Sequence, residues 1–166
     1  MGKLKCGWRG MPVVGMWCVL GLAGLGVMPA AQAVTVSPAG AFSAKGKLEL
    51  GKGILGLSCE TTFSGTVTAG GEIVVTDVRF GGGRCGRITP VGLPWKGRAD
   101  SPEQLVLHDM QVEVRAPLLG GHCAASTVNV IWKADASAAH FERVQLPPDC
   151  RLHGTLVTTT RMVIAP

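Results

Sequence analysis

Phe42-Ser43-Ala44-Lys45-Gly46-Lys47-Leu48-Glu49-Leu50 sets the pattern for the rest of the chain. Phe42, Ala44, Gly46, Leu48 and Leu50 fall on one side of a two-residue repeat, with Ser43, Lys45, Lys47 and Glu49 on the other. Successive side chains of a strand point to opposite faces, so the alternation predicts a strand with one face in a core and the other in water. Downstream, Thr61, Phe63, Gly65 and Val67 alternate with Glu60, Thr62, Ser64 and Thr66. Val106, Met110, Val112 and Val114 read as one face opposite Gln111 and Glu113, and Val128, Val130 and Trp132 as another opposite Asn129 and Lys133. The Thr- and Val-rich stretch from Leu152 to Ile164 suits a closing strand.

No segment from Val34 onward carries helical periodicity. Ala69-Gly70-Gly71, Gly81-Gly82-Gly83, Leu93-Pro94 and Pro147-Pro148 separate the apolar runs. Glycine supplies a positive φ and proline a fixed one, so each cluster marks a turn or a bulge. About eight short strands with such punctuation predict an all-β fold, an antiparallel β-sandwich or a barrel-like relative of it.

The chain upstream of this pattern is different. Lys3, Lys5 and Arg9 precede an apolar run from Met11 to about Met28, and Ala31 and Ala33 close it at the small-residue positions that signal peptidase requires. Residues 1–33 therefore read as a cleaved secretory signal peptide and residues 34–166 as a single exported domain, secreted or periplasmic, with no membrane span after cleavage. An uncleaved anchor is the competing reading, since about 18 apolar residues can just cross a bilayer. Gly15, Gly21, Gly24 and Gly26 weaken it. Cys6 and Cys18 lack the small-residue box of a lipoprotein. The predicted signal carries three of the 16 Lys and Arg residues, which brings the remainder close to balance with 11 acidic ones. No basic stripe is left for a nucleic-acid partner.

Cys59, Cys85, Cys123 and Cys150 remain, and an even number in an exported chain implies disulfides. Four cysteines allow three connectivities. In a hairpin the turn fixes which positions face each other. A turn at Ala136-Ser137 sets Cys123 opposite Cys150, while one at Gly70-Gly71 sets Cys59 opposite Gly82, with glycines 81–83 able to absorb the offset to Cys85. The expected pairs are thus Cys59–Cys85 and Cys123–Cys150, each closing one hairpin. A metal site is the alternative, but the cysteine spacings are wide, and His108, His122, His140 and His153 show no ligand spacing.

No catalytic constellation emerges, and no cofactor is expected. His108 and Asp109 are strand neighbours and point apart, so they cannot serve as a base and its orienter. There is no Gly-x-Ser-x-Gly elbow, and Gly81-Gly82-Gly83 is followed by no Lys-Ser/Thr and no helix. Two apolar loops are candidates for binding: Gly92-Leu93-Pro94-Trp95, where Leu93 and Trp95 are either contact residues or a cap on the core, and Pro117-Leu118-Leu119-Gly120, where Leu118 and Leu119 stand in the same position. The arm from Val34 to Gly40 can pair within its own domain or add to a neighbour's sheet edge.

A set of ordered motifs runs through most of residues 38–164. It comprises Leu57-Ser58-Cys59 with Phe63-Ser64-Gly65-Thr66-Val67, Phe80 before Cys85, and Gly92-Leu93-Pro94-Trp95. It continues with Leu118-Leu119-Gly120 ahead of Cys123, Ser126-Thr127-Val128-Asn129, and Cys150 with Gly154-Thr155-Leu156. Together with the signal peptide, this order resembles the Pra-type family of bacterial alkane oxidation protein activators. The resemblance implies an exported, non-enzymatic accessory protein that promotes contact with or use of a hydrophobic substrate, and it implies no catalytic residues. The partners expected are a hydrophobic substrate or the cell surface, with self-association open. The alternative is an extracellular adhesin or biofilm-matrix fibre subunit assembled through sheet edges.

Overall fold

The alternating runs become long antiparallel strands in the computed structural model, which describes residues 34–117 and 120–166. The predicted signal peptide lies outside the described residues, as do Leu118 and Leu119. In chain order the strands are β1 (Thr35–Ser37), β2 (Gly40–Lys52), β3 (Leu55–Val67), β4 (Glu72–Gly81), β5 (Ile88–Val91), β6 (Trp95–Ser101), β7 (Gln104–Val114), β8 (Gly121–Lys133), β9 (Ala138–Leu146), β10 (Cys150–Thr158) and β11 (Val163–Ala165). One 3-10 turn, Gly83–Arg87, links β4 to β5.

Of the two architectures expected, the sheet takes the closed one. Its order is β6-β4-β3-β2-β10-β9-β8-β7, and β7 returns to β6, which makes an eight-stranded antiparallel barrel. β5 is the continuation of the β6 position: β7 pairs its first half with β6 and its second half with β5. The Gly92-Leu93-Pro94 segment breaks that strand in two, with Gly92 at φ 69°. Closure satisfies backbone groups that an open sheet would leave at its edges. Leu48, Phe63, Val75, Val112, Val130, Phe141 and Leu152 line the core from successive strands. Phe63 packs edge-on against both Trp95 and Phe141, with ring centroids 5.8 and 6.0 Å apart.

Two strand expectations need correction. Val106 does not share a face with Met110. The β7–β8 register shifts between Leu107 and Met110, where Asp109 takes φ 57°, so Leu105 and Leu107 face the interior ahead of the bulge and Met110, Val112 and Val114 after it. The Leu152–Ile164 stretch is also not one strand. β10 ends at Thr158, and β11 then pairs with β1 as a separate ribbon. The arm from Val34 to Gly40 thus pairs within its own domain, and Val36, Met162 and Ile164 are buried.

Both expected disulfides are present, Cys59–Cys85 and Cys123–Cys150. The first closes the β3–β4 hairpin through the 3-10 turn, with Glu60 opposite Gly81 and the Gly81–Gly83 bend carrying the chain on to Cys85. The second reaches further than the one hairpin expected. β8 and β9 pair two positions out of the predicted register, with Ile131 opposite His140, so Cys123 bonds past the Pro147-Pro148-Asp149 turn to the first residue of β10.

The barrel has two unlike ends. One carries the β2–β3 turn, the 3-10 turn, the β7–β8 connection, the β9–β10 turn and both disulfides. The other carries the β3–β4, β6–β7 and β8–β9 turns, and the β1–β11 ribbon is joined to it through Val36 N–H donating to Ala69 O at 2.9 Å.

Candidate functional site

The β2–β3 hairpin outruns its neighbour at the disulfide end. The β3–β4 ladder stops at Glu60 and Gly81, so Leu55 to Cys59 pair with β2 alone. The turn Lys52-Gly53-Ile54-Leu55 leaves Ile54 91% exposed, and Leu55 and Leu57 are half-buried at the rim. Turn residues are normally polar or glycine, because a turn faces water. Ile54 is held there by a braced tip: Gly53 N–H donates to Asp149 O at 3.3 Å, and the Arg151 guanidinium donates to Gly53 O at 3.2 Å.

The hairpin forms a ridge between two depressions. A shallow groove of about 650 Å³ runs along it past Glu49, Gly51, Ile54 and Arg151. On the other side a recess of about 350 Å³ lies between Leu55, Gly56 and Leu57 on the ridge and Arg84, Arg87, Val114, Ala116 and Pro117 opposite. The 3-10 turn bearing Arg84 and Arg87 is fixed at Cys85, which is buried and bonded to Cys59. Arg115 N–H donating to Arg87 O at 2.7 Å ties it to the end of β7. Lys52 points inward at the same end, 8% exposed, with Nζ 2.5 Å from Asp149 Oδ1.

The barrel interior offers far less room. A cavity of about 50 Å³ lies beside Trp132, Met162 and Leu105, towards the ribbon end, and its lining is apolar. Ligand sites for small molecules usually measure roughly 300–1,000 Å³, which fits the two depressions at the disulfide end, the mouth of the barrel, and not this cavity. The Trp132 indole N–H, buried, has no acceptor among the described residues. Elsewhere on the surface, His140 and His153 stack edge-on at 5.9 Å, with His140 Nδ1 2.8 Å from Thr155 Oγ1. No cluster of three metal-ligating side chains occurs among the described residues.

The sequence-derived contact residues separate. Trp95 is 0% exposed, with its indole N–H donating to Val91 O at 2.8 Å; it is a wall residue of the core and presents no surface to a ligand. Leu93 is half-buried and packs against the core cluster. Leu118 and Leu119 lie outside the described residues. Sequence reading missed Ile54, Leu55 and Leu57 as a site. The signal was present in Gly51-Lys52-Gly53-Ile54-Leu55, where an apolar pair occupies a glycine-flanked turn.

Residues 9–166 match the family described as alkane oxidation protein activator PraA/PraB-like. The chain belongs to that family. The match covers nearly the whole sequence, so the barrel, both disulfides and the mouth are all parts of a PraA/PraB-like chain. No curated protein and no solved structure matches it. The family's name is that of an activator, and its two disulfides suit an oxidising compartment. No helix among the described residues is long and apolar enough to cross a membrane.

Proposed function

We propose that this PraA/PraB-like protein is an exported, non-catalytic accessory to the use of hydrophobic substrates, and that it touches them with the apolar mouth of its barrel. The observation that carries this reading is Ile54, 91% exposed on a braced hairpin tip beside half-buried Leu55 and Leu57. An aliphatic side chain held in water gains about 1.5–3 kcal/mol when it is transferred to an apolar phase. Rigid presentation means that little conformational entropy is lost on contact. The family name supports the alkane connection, and the disulfides support export.

Partition onto hexadecane droplets tests the reading. Wild type is expected to coat the droplets, and an Ile54→Ser/Leu57→Ser variant with an unchanged melting temperature to lose most of that adsorption. Equal adsorption by the two proteins would overturn the mouth as the contact. Export is checked by intact mass of the protein recovered from periplasm and medium, which should begin at Val34. The alternative, a fibre subunit built through sheet edges, has less to draw on, because β1 pairs with β11 and the barrel closes. Concentration-dependent polymer lost on deleting residues 34–40 would restore it.

A further inference from the structure

We infer that the mouth is selective for a long-chain carboxylate over a neutral hydrocarbon, with Arg84 and Arg87 as the residues that recognise the head group. This inference rests on the proposed role of the mouth as the apolar contact and names the ligand class that fits it. The recess puts two kinds of surface side by side. Leu55 and Leu57 form an aliphatic wall on the ridge, and Arg84 and Arg87 stand across from them. Neither guanidinium makes an ion pair among the described residues; Lys45, Lys96, Lys133, Arg143, Arg151 and Arg161 make none either, but only Arg84 and Arg87 line the recess. Glu113, the acid on the adjoining end of β7, is taken by Arg115.

A neutral alkane would fill the apolar wall and leave both cations without a partner. A carboxylate with an alkyl tail satisfies both, because the planar guanidinium fork matches the two oxygens of a carboxylate and binds them through charge-assisted hydrogen bonds. The backbone that carries the two cations is also fixed. The Cys59–Cys85 bond holds their 3-10 turn against β3, and the Arg115–Arg87 backbone bond holds its far end. A recess of about 350 Å³ accepts part of a single chain, not a bilayer patch, which favours a free fatty carboxylate as the occupant.

The test is calorimetric titration of the oxidised protein with dodecanoate and with dodecanol, both kept below their aggregation limits. Wild type is expected to bind dodecanoate at least tenfold more tightly than dodecanol. Arg84→Gln/Arg87→Gln is expected to remove that preference, bringing the dodecanoate and dodecanol affinities to within about twofold of each other; both side chains are exposed, so the fold is retained. Equal affinity of wild type for the two ligands, or a preference that survives the double arginine variant, would overturn the inference. Ile54→Ser/Leu57→Ser separates it from the underlying reading. If that variant loses dodecanol while wild type shows no preference for dodecanoate, selectivity fails and the apolar mouth stands. If it binds both ligands as wild type does, the mouth itself is wrong, and the inference falls with it.

Discussion

Lys52 carries the one buried charge among the described residues, and its partner Asp149 keeps about half of its side chain in water. Losing the carboxylate would leave the ammonium without its ion pair in a mostly dry position, which is costlier than never having had the pair. Asp149→Ala should therefore lower stability by about 1–2 kcal/mol, discounted for that exposure, while Lys52→Met should be close to neutral. Urea unfolding of both variants checks the contrast. Gly65 presents a different constraint at the same scale. It sits at the register shift of the β3–β4 ladder, where a methyl group would run into the carbonyl oxygen of Val74. Gly65→Ala should cost roughly 2–3 kcal/mol, since neither backbone can give way without opening the ladder. The alternating sequence placed Gly65 on an inward face correctly but held no hint of that close approach, because it depends on how tightly a neighbouring strand crosses.

The two disulfides sit on different elements and should behave differently when removed. Their sequence separations, 26 and 27 residues, are nearly equal, so loop entropy assigns each about 3.5 kcal/mol. Replacing Cys123 and Cys150 by serine should reduce stability and leave ligand selectivity intact. Replacing Cys59 and Cys85 should reduce stability and also abolish selectivity, because it frees the 3-10 turn that carries Arg84 and Arg87. Thermal melts paired with dodecanoate titration separate the two outcomes. Strand existence was legible from the two-residue period in β2, β3 and β8, where burial follows the alternation. The bulge in β7 was not, since His108 and Asp109 look like ordinary strand residues and only the φ of Asp109 shifts the parity. Cystine pairing was legible because turn position constrains it. The mouth was not, because Arg84 and Arg87 lie some thirty residues from Leu55 and Leu57 in sequence and meet them once the first disulfide and the Arg115–Arg87 backbone bond seat the 3-10 turn.

Whether the strands formed a sandwich or a barrel was a question for the whole molecule. It is settled by a pairing that no local signal announces, β10 with β2, about a hundred residues apart in the chain. Such distant partners predict slow folding, on the order of milliseconds to seconds, in stopped-flow refolding with the disulfides intact. The β1–β11 ribbon is likewise a product of long separation, joining Thr35 to Ala165. Deleting residues 34–38 removes buried Val36 and strips β11 of its partner, so stability should fall by roughly 2–4 kcal/mol in a chemical melt.

That ribbon also makes a single handle of the strands that flank the barrel, Thr35–Ser37 and Val163–Ala165. The first and last strands leave the barrel side by side, at the end opposite the hairpin ridge. Anything joined at Thr35 or Ala165, whether a tether, a dye or a bead, stands a full strand length away from the mouth. A surface-bound copy would hold its mouth towards the bulk phase, and a pulling force on the two ends would first unzip the ribbon, three residue pairs long, while the cross-linked rim bore none of the load.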